Sequence, residues 1–388
     1  MRRGFVRHTY RPTESPLFRG VCASSDFDRA PETALVSQRK WLMAQIISAP
    51  ECGGALWSAK CGPRRAVPRY SERSSMTDTG RNPTPIAGSD AGRMKLARSI
   101  DEFSERILLL LTPQSFAAAK AFRPRASDVI IATYPKCGTT WVQQIAHGLR
   151  TGGDMAFDEI TEVVPWLEAA LDLGLDLDAE QKAEPRLFKT HFRAELAPPG
   201  CRYISVIREP GDALASQYHF MEGWFLERGA VAIDDFVRLL AFSTGPGSTY
   251  WNYLLSWWRR RDDPQVLTLS FEDLKEDLEA QVARVARFLA TDVARRSIDV
   301  ATRQATFAFM KAHEGQFDEH LTARARNSAC DLPPDAGTTK VREGKTGTRR
   351  ALSDATLALL DERWASVVAP ETGFASYAAL RAALAERE

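Results

Sequence analysis

Lys136, Gly138, Thr139 and Thr140 are the residues whose types and spacing point most directly to chemistry. They lie in the stretch Asp128–Gly148, DVIIATYPKCGTTWVQQIAHG. Its apolar and β-branched run, Val129 to Tyr134, predicts a short buried strand. Pro135 ends any ladder because it has no N–H to donate. Gly138 permits a tight turn, and Trp141, Val142, Ile145 and Leu149 then recur at helical spacing. A strand, a small-residue loop and a helix N-terminus gather orphan backbone N–H groups, and the helix dipole adds roughly half a positive charge. Lys136 contributes a full charge, and the two threonines contribute hydroxyls. This is a loop for a phosphate-like anion. Its order is not that of the ATP-binding loop G-x-x-x-x-G-K-[ST], because the lysine precedes the glycine and no upstream glycine opens the turn.

Tyr134-Pro135-Lys136-Cys137-Gly138-Thr139-Thr140-Trp141 instead resembles Y-P-K-S-G-T-T-W, the phosphosulfate loop of the cytosolic-type sulfotransferases, with Cys137 the one departure. The resemblance extends over roughly residues 95–370. It implies a single α/β domain with a three-layer, P-loop-type central parallel sheet flanked by helices, the donor lying at the strand C-termini. It also implies transfer of a sulfonate from 3′-phosphoadenosine 5′-phosphosulfate (PAPS) to a phenol or alcohol, leaving adenosine 3′,5′-bisphosphate (PAP). The loop residues Lys136 to Trp141, Cys137 included, would bind the donor. No metal is implied, since protein cations neutralise the charge that Mg²⁺ neutralises in ATP enzymes.

Further segments carry the same resemblance. Lys189-Thr190-His191 is similar to the family's K-T-H motif, whose histidine is the catalytic base. A neutral imidazole with a pKa near ~6.5 can take a proton from an acceptor hydroxyl. Lys189 and Lys136 would stabilise charge on the transferring group. Arg208 and Ser216 match the R-[ND]-P-x-D-x-x-x-S element that grips the 3′-phosphate, with Glu209 in place of Asn or Asp. Phe271 stands where a tyrosine usually meets the adenine, Thr306-Phe307 resembles a second nucleotide segment, and Arg342-Glu343-Gly344 resembles the R-K-G turn. Glu343 there puts a negative charge beside the expected anion, for which Lys345 compensates. Pro165-Trp166-Leu167-Glu168 resembles the P-[FW]-L-E segment, so Trp166, Phe192 and His191 are the expected acceptor contacts. The family's serine at position 137 restrains idle donor breakdown. A thiol bonds more weakly, which predicts faster acceptor-free breakdown and an oxidation-sensitive site.

The elements that position these groups are legible in outline. A stripe of Ile100, Phe103, Ile107, Leu110 and Leu111 predicts a helix from Ser99 to about Lys120, covering one face of the first strand. Leu187, Lys189 and His191 alternate with Phe188, Thr190 and Phe192, the period-two pattern of a strand end. Tyr203–Arg208 and Val266–Ser270 read as further strands, and Leu274, Leu278, Val282, Val285 and Leu289 as an amphipathic helix. Ser353–Val368 closes the fold as a helix.

Composition bounds the rest. Of 388 residues, 44% are hydrophobic and 26% charged, ordinary for a globular protein, and the net charge of +1 argues against a nucleic-acid partner. No apolar run reaches the ~18 residues of a membrane helix. Six cysteines without framework spacing fit a reduced, cytoplasmic chain. The first 75 residues hold 13 Lys/Arg against 6 Asp/Glu without periodicity, and read as a disordered leader or an over-long gene model starting at Met76. Residues 76–95 form a polar lead-in and 96–388 the sulfotransferase domain. The partner is a small-molecule acceptor, the chain a monomer or homodimer. Two rivals stand: a P-loop ATP-dependent kinase, which would need Mg²⁺, and a catalytically silent PAPS- or PAP-binding protein.

Overall fold

Four short apolar runs form the strands: β1 (Val129–Thr133), β2 (Leu187–Thr190), β3 (Arg202–Ile207) and β4 (Val266–Ser270). They pair in parallel in the order β2-β1-β3-β4, with Val129 opposite both Leu187 and Arg202, and Tyr203 opposite Val266. The computed structural model describes residues 94–242, 249–289, 295–344 and 346–386. The readings of residues 1–75, of most of 76–95 and of Lys345 therefore lie outside the described residues. Because all four strands run the same way, their C-terminal ends open on one edge of the sheet, where ligands of open α/β sheets bind.

Strand alternation sends side chains into two cores. Ile130, Ala132, Phe188 and Tyr203 pack on one face with Trp251 and Trp257 of the helix Tyr250–Trp258. Val129, Ile131, Leu187 and Ile204 pack on the other, with Val142 and Ile145 of the helix Thr139–Thr151 and Val282 and Val285 of the helix Leu278–Leu289. These are the expected three layers of helix, parallel sheet and helix.

The helix predicted from Ser99 to Lys120 is two helices, α1 (Ile100–Ile107) and α2 (Pro113–Ala121). Pro113 cannot donate inside a helix, so it opens a new one, capped by the Thr112 hydroxyl accepting from the Ser115 N–H at 3.1 Å. Nor does the α1 stripe cover β1. Phe103 packs edge-on against Phe225 and Phe236, in a third apolar cluster set apart from the strands. The amphipathic helix after β4 begins separately as well, Phe271–Glu276 breaking at Asp277 before Leu278. The closing helix is α-helical over Asp354–Arg363 and widens to a π-type turn at Trp364–Val368.

One buried ion pair locks β1 to β2 at their N-terminal ends. Arg186, fully buried, donates from Nε to Asp128 Oδ1 at 3.0 Å and from Nη2 to Oδ2 at 2.6 Å. The Arg125 N–H also donates to Oδ2, at 2.8 Å. Both charges are thus out of water with their bonding capacity met, and deleting one strands the other. Asp128→Ala is expected to destabilise the fold by about 3–5 kcal/mol in urea unfolding. A loss under about 1 kcal/mol would show that the pair does not hold these strands.

Candidate functional site

Each strand hands its chain to a candidate residue at its C-terminal end: β1 leads to Lys136, β2 to Lys189 and His191, β3 to Arg208 and β4 to Phe271. These five line a single cavity of about 760 Å³. So do Gly138, Thr139, Thr140, Trp141, Trp166, Ser216, Thr306, Phe307, Arg342, Glu343 and Gly344. Two of the expected catalytic, donor-binding and acceptor-binding residues, Cys137 and Phe192, do not line it.

The loop after β1 reaches the helix Thr139–Thr151 through two left-handed residues, Lys136 at φ +66 and Gly138 at φ +102. For lysine that conformation costs roughly 1–2 kcal/mol, and it is braced. Arg208 Nη1 donates to the Lys136 carbonyl at 2.7 Å, while its guanidinium lies 4.0 Å over the Phe271 ring. At Gly138 a Cβ would stand 3.2 Å from Phe271, so glycine serves both backbone and packing. The Lys136 ammonium lies 4.1 Å over the ring of Phe220. Burial first, then the charges of Lys340 and Arg208, lower its pKa to about 7, against the opposing pull of Glu319. Thr139 is partly spent, its hydroxyl 2.5 Å from that of Thr133, whereas Thr140 is half-exposed at the cavity wall. Trp141 is fixed by its indole N–H, which donates to the Ala305 carbonyl at 2.7 Å, and meets Phe271 edge-on.

His191 is oriented by backbone. Its Nδ1 lies 2.8 Å from the Thr133 carbonyl, which can only accept, so Nδ1 carries the ring proton and Nε2 keeps its lone pair. Burial and the Lys189 charge lower its pKa to about 4, so the ring is neutral at pH 7. Trp166 packs edge-on against the imidazole at 5.4 Å and faces the Lys189 ammonium at 4.7 Å. Behind them Glu168, almost fully buried, accepts from the His191 N–H at 2.7 Å and the Thr190 hydroxyl at 3.0 Å. Burial pushes that carboxyl up to about 7.

Lys189 is 2% exposed and donates to Glu319 Oε1 at 3.1 Å. Lys340, also on the cavity wall, approaches the same oxygen at 2.7 Å. Neither Glu319 nor Lys340 carries a sequence signal, since both sit in loop-rich chain without periodicity. The apolar end of the cavity was half visible. Phe103 and Ile107 of α1, with Leu110 and Leu111 beyond its end, belong to the predicted stripe, and Phe220, Met221 and Trp224 add to the apolar end.

Two expected contacts are corrected. Phe192 is buried against Phe116 at 4.9 Å, in the core on the opposite sheet face. The period-two alternation requires this, because Phe192 is out of phase with Lys189 and His191. The Cys137 thiol is buried among Tyr134, Tyr250 and Tyr253, away from the cavity, and burial pushes its pKa up to about 12. It is neither beside the lysine nor an oxidation-prone thiolate.

The loop bearing Arg342 is pinned to the start of the helix Pro210–Met221. Asp212 accepts from the Gly347 N–H at 2.6 Å and the Arg349 N–H at 2.7 Å, and Glu209 caps the helix through the Asp212 N–H at 2.6 Å. The departure to Glu209 thus keeps a capping carboxylate, which also pairs with Arg349 at 2.9 Å. Glu343 is exposed and accepts from Arg342 Nη1 at 2.6 Å, so it partly occupies the guanidinium offered to an anion. At Gly344, φ +61, a Cβ would run into the Phe307 ring.

A family model described as "Sulfotransferase domain" matches residues 126–350. The dog "Sulfotransferase 1B1" is 33% identical over 202 residues, 49% of this chain and 68% of that protein. Among solved structures, mouse sulfotransferase SULT7A1 complexed with PAP is similar in fold, with TM-score 0.51 and 19% identity over 72% of this chain and 95% of that one. Retinol dehydratase in a complex with retinol and PAP is similar at TM-score 0.52 and 20% identity, over 66% and 86%. No helix among the described residues is long and apolar enough to cross a membrane.

Losing a carboxylate that accepts from backbone N–H groups costs about 1.5–3 kcal/mol, a tenfold or greater rise in local opening. Asp212→Ala is therefore expected to speed hydrogen exchange at the Gly347 and Arg349 amides at least ~10-fold. Unchanged protection at both would mean that another contact secures this loop.

Proposed function

The chain belongs to the sulfotransferase domain family, and from that premise we propose that it moves the sulfonate of PAPS to a phenol or alcohol acceptor, with His191 as general base and no metal. The observation that carries the reading is the imidazole tautomer: a neutral ring with Nε2 free shares a cavity with Lys136 and Lys189. The residues present fit a nucleotide donor. The loop Lys136–Trp141 offers an ammonium, hydroxyls and a helix N-terminus to a sulfonate or 5′-phosphate. Arg208, Ser216 and Arg342 offer cations and a hydroxyl to a 3′-phosphate. Trp141, Phe271, Thr306 and Phe307 border the space for an adenine.

PAPS supplies an activated sulfonate held as a mixed anhydride. The protein's part is to bind, orient and move one proton. His191 Nε2 takes the acceptor's hydroxyl proton as the oxygen–sulfur bond forms and the sulfur–phosphate oxygen bond breaks, its electron pair staying on PAP. Lys136 and Lys189 face the charge that collects on that oxygen, in a site where little water competes. The apolar end around Phe103, Ile107, Leu110, Phe220 and Trp224 favours an acceptor with a ringed or chain-like hydrocarbon body behind its hydroxyl. Retinol in the similar dehydratase complex is an alcohol of that kind.

His191→Ala is expected to lower turnover at least ~10²-fold while PAP still binds, the low end for a lost general base. Turnover near that of the unsubstituted protein would remove the histidine from the mechanism. A second expectation concerns pH. Lys136, its pKa lowered to about 7, is an ammonium below that pH and an amine above it in the free protein. An anion prefers the ammonium, so PAP affinity falls as pH rises through 7, by up to roughly tenfold per unit for one linked proton. Calorimetric titrations with PAP between pH 6 and 9 should show this slope, and Lys136→Arg should flatten it. A flat profile in the unsubstituted protein would mean that the lysine stays charged.

A further inference from the structure

Lys189 and Lys340 share one carboxylate oxygen. Glu319 Oε1 lies 3.1 Å from the Lys189 ammonium and 2.7 Å from that of Lys340, so one oxygen faces both cations. The other Glu319 oxygen accepts from the Thr322 hydroxyl at 3.0 Å. Behind Lys340, Glu159 stands 4.0 Å away, its oxygens already accepting from the Thr161 hydroxyl at 2.6 Å and the Leu321 N–H at 2.9 Å. Lys189, Glu319 and Glu159 are buried, the Lys340 side chain is 9% exposed, and both lysines line the same cavity as Lys136 and His191.

A buried lysine paired one to one with a carboxylate is close to neutral as seen by an incoming anion. Lys189 with Glu319 alone would offer the donor's sulfonate little. Lys340 on the same oxygen adds a second ammonium to that wall, and the carboxyl behind it, Glu159, is held above the usual carboxylate range by burial, which weakens its claim on that charge. Packing gives no reason for the arrangement, since two ammoniums brought together out of water repel and cost more than apolar side chains of similar volume.

We propose that Lys340 is a third cation of the transfer site, facing the sulfonate end of the donor, and that Glu319 is the positioning residue that holds Lys189 and Lys340 side by side. The proposal rests on the sulfonate-transfer reading above. Lys340 then acts with Lys136 and Lys189 on the phosphate oxygen that keeps the electron pair when its bond to sulfur breaks. It is expected to contribute little to PAP, which lacks the sulfonate.

The test uses the full chain, PAPS as donor, 2-naphthol and androsterone as acceptor probes, and PAP binding as a separate readout. Lys340→Gln is expected to lower kcat at least ~10-fold while PAP affinity stays within about threefold, and Lys340→Arg to recover part of the loss. Glu319→Gln, of equal shape, is expected to lower kcat without raising the KM of the acceptor, and Glu319→Asp to recover part of it. Should Lys340→Gln fail to fold, the Glu319 pair carries the test alone. Unchanged kcat in Lys340→Gln or in Glu319→Gln, or a PAP affinity that falls in step with kcat, overturns the proposal. If the unsubstituted chain binds PAP but sulfonates neither probe, and no PAPS is consumed, it is the transfer reading that fails. Normal transfer that is insensitive to Lys340 overturns this inference and leaves that reading standing.

Discussion

A lysine ammonium leaves bulk water only against the loss of its hydration, and this molecule lines one cavity with three lysines. Lys189 and Lys340 meet that cost by sharing Glu319. Lys136 meets it differently, resting on the face of Phe220 with its pKa lowered to about 7. Cations gathered with so little water around them would recover free energy when an anion enters, and the proposed transfer draws on that gain.

The parallel sheet makes that arrangement possible. Four strands in register end on one edge, so residues from Lys136 to Phe271 converge although they are far apart in the chain. Rigidity comes from contacts that touch no ligand. Arg208 braces the Lys136 carbonyl, and the Tyr250 hydroxyl donates to the Arg208 carbonyl in turn. Asp212 pins the loop of Arg342, and Glu168 holds the backbone at His191. Each holds main chain at or near a candidate residue, so the position of the side chain is set by backbone contacts.

The imidazole illustrates the same economy. Its orientation comes from the carbonyl of Thr133, the last residue of β1, so the strand that launches the anion loop also sets the tautomer of His191. Burial then lowers the pKa to about 4, keeping the ring neutral beside several cations. A neutral ring at physiological pH is what the proposed general-base role requires.

Motif residues were legible in the chain because their chemistry is local. A lysine, a glycine and two hydroxyls between a strand and a helix bind an anion through groups close in sequence, and the alternation from Leu187 to Phe192 already separates Lys189 and His191 from Phe192. The strands, their C-terminal edge and most of the cavity wall follow from such short-range patterns. What only the tertiary structure decided depends on contacts between distant segments. The split at Thr112-Pro113 frees α1 to line the apolar end rather than cover β1. The Cys137 thiol turns into the tyrosine core instead of the cavity. Glu319 and Lys340 join Lys189 across more than a hundred residues. Periodicity records which face a residue occupies, but charge pairing across the fold leaves no period in the chain, and so the carboxylate that holds two cations together became visible only once the chain was folded.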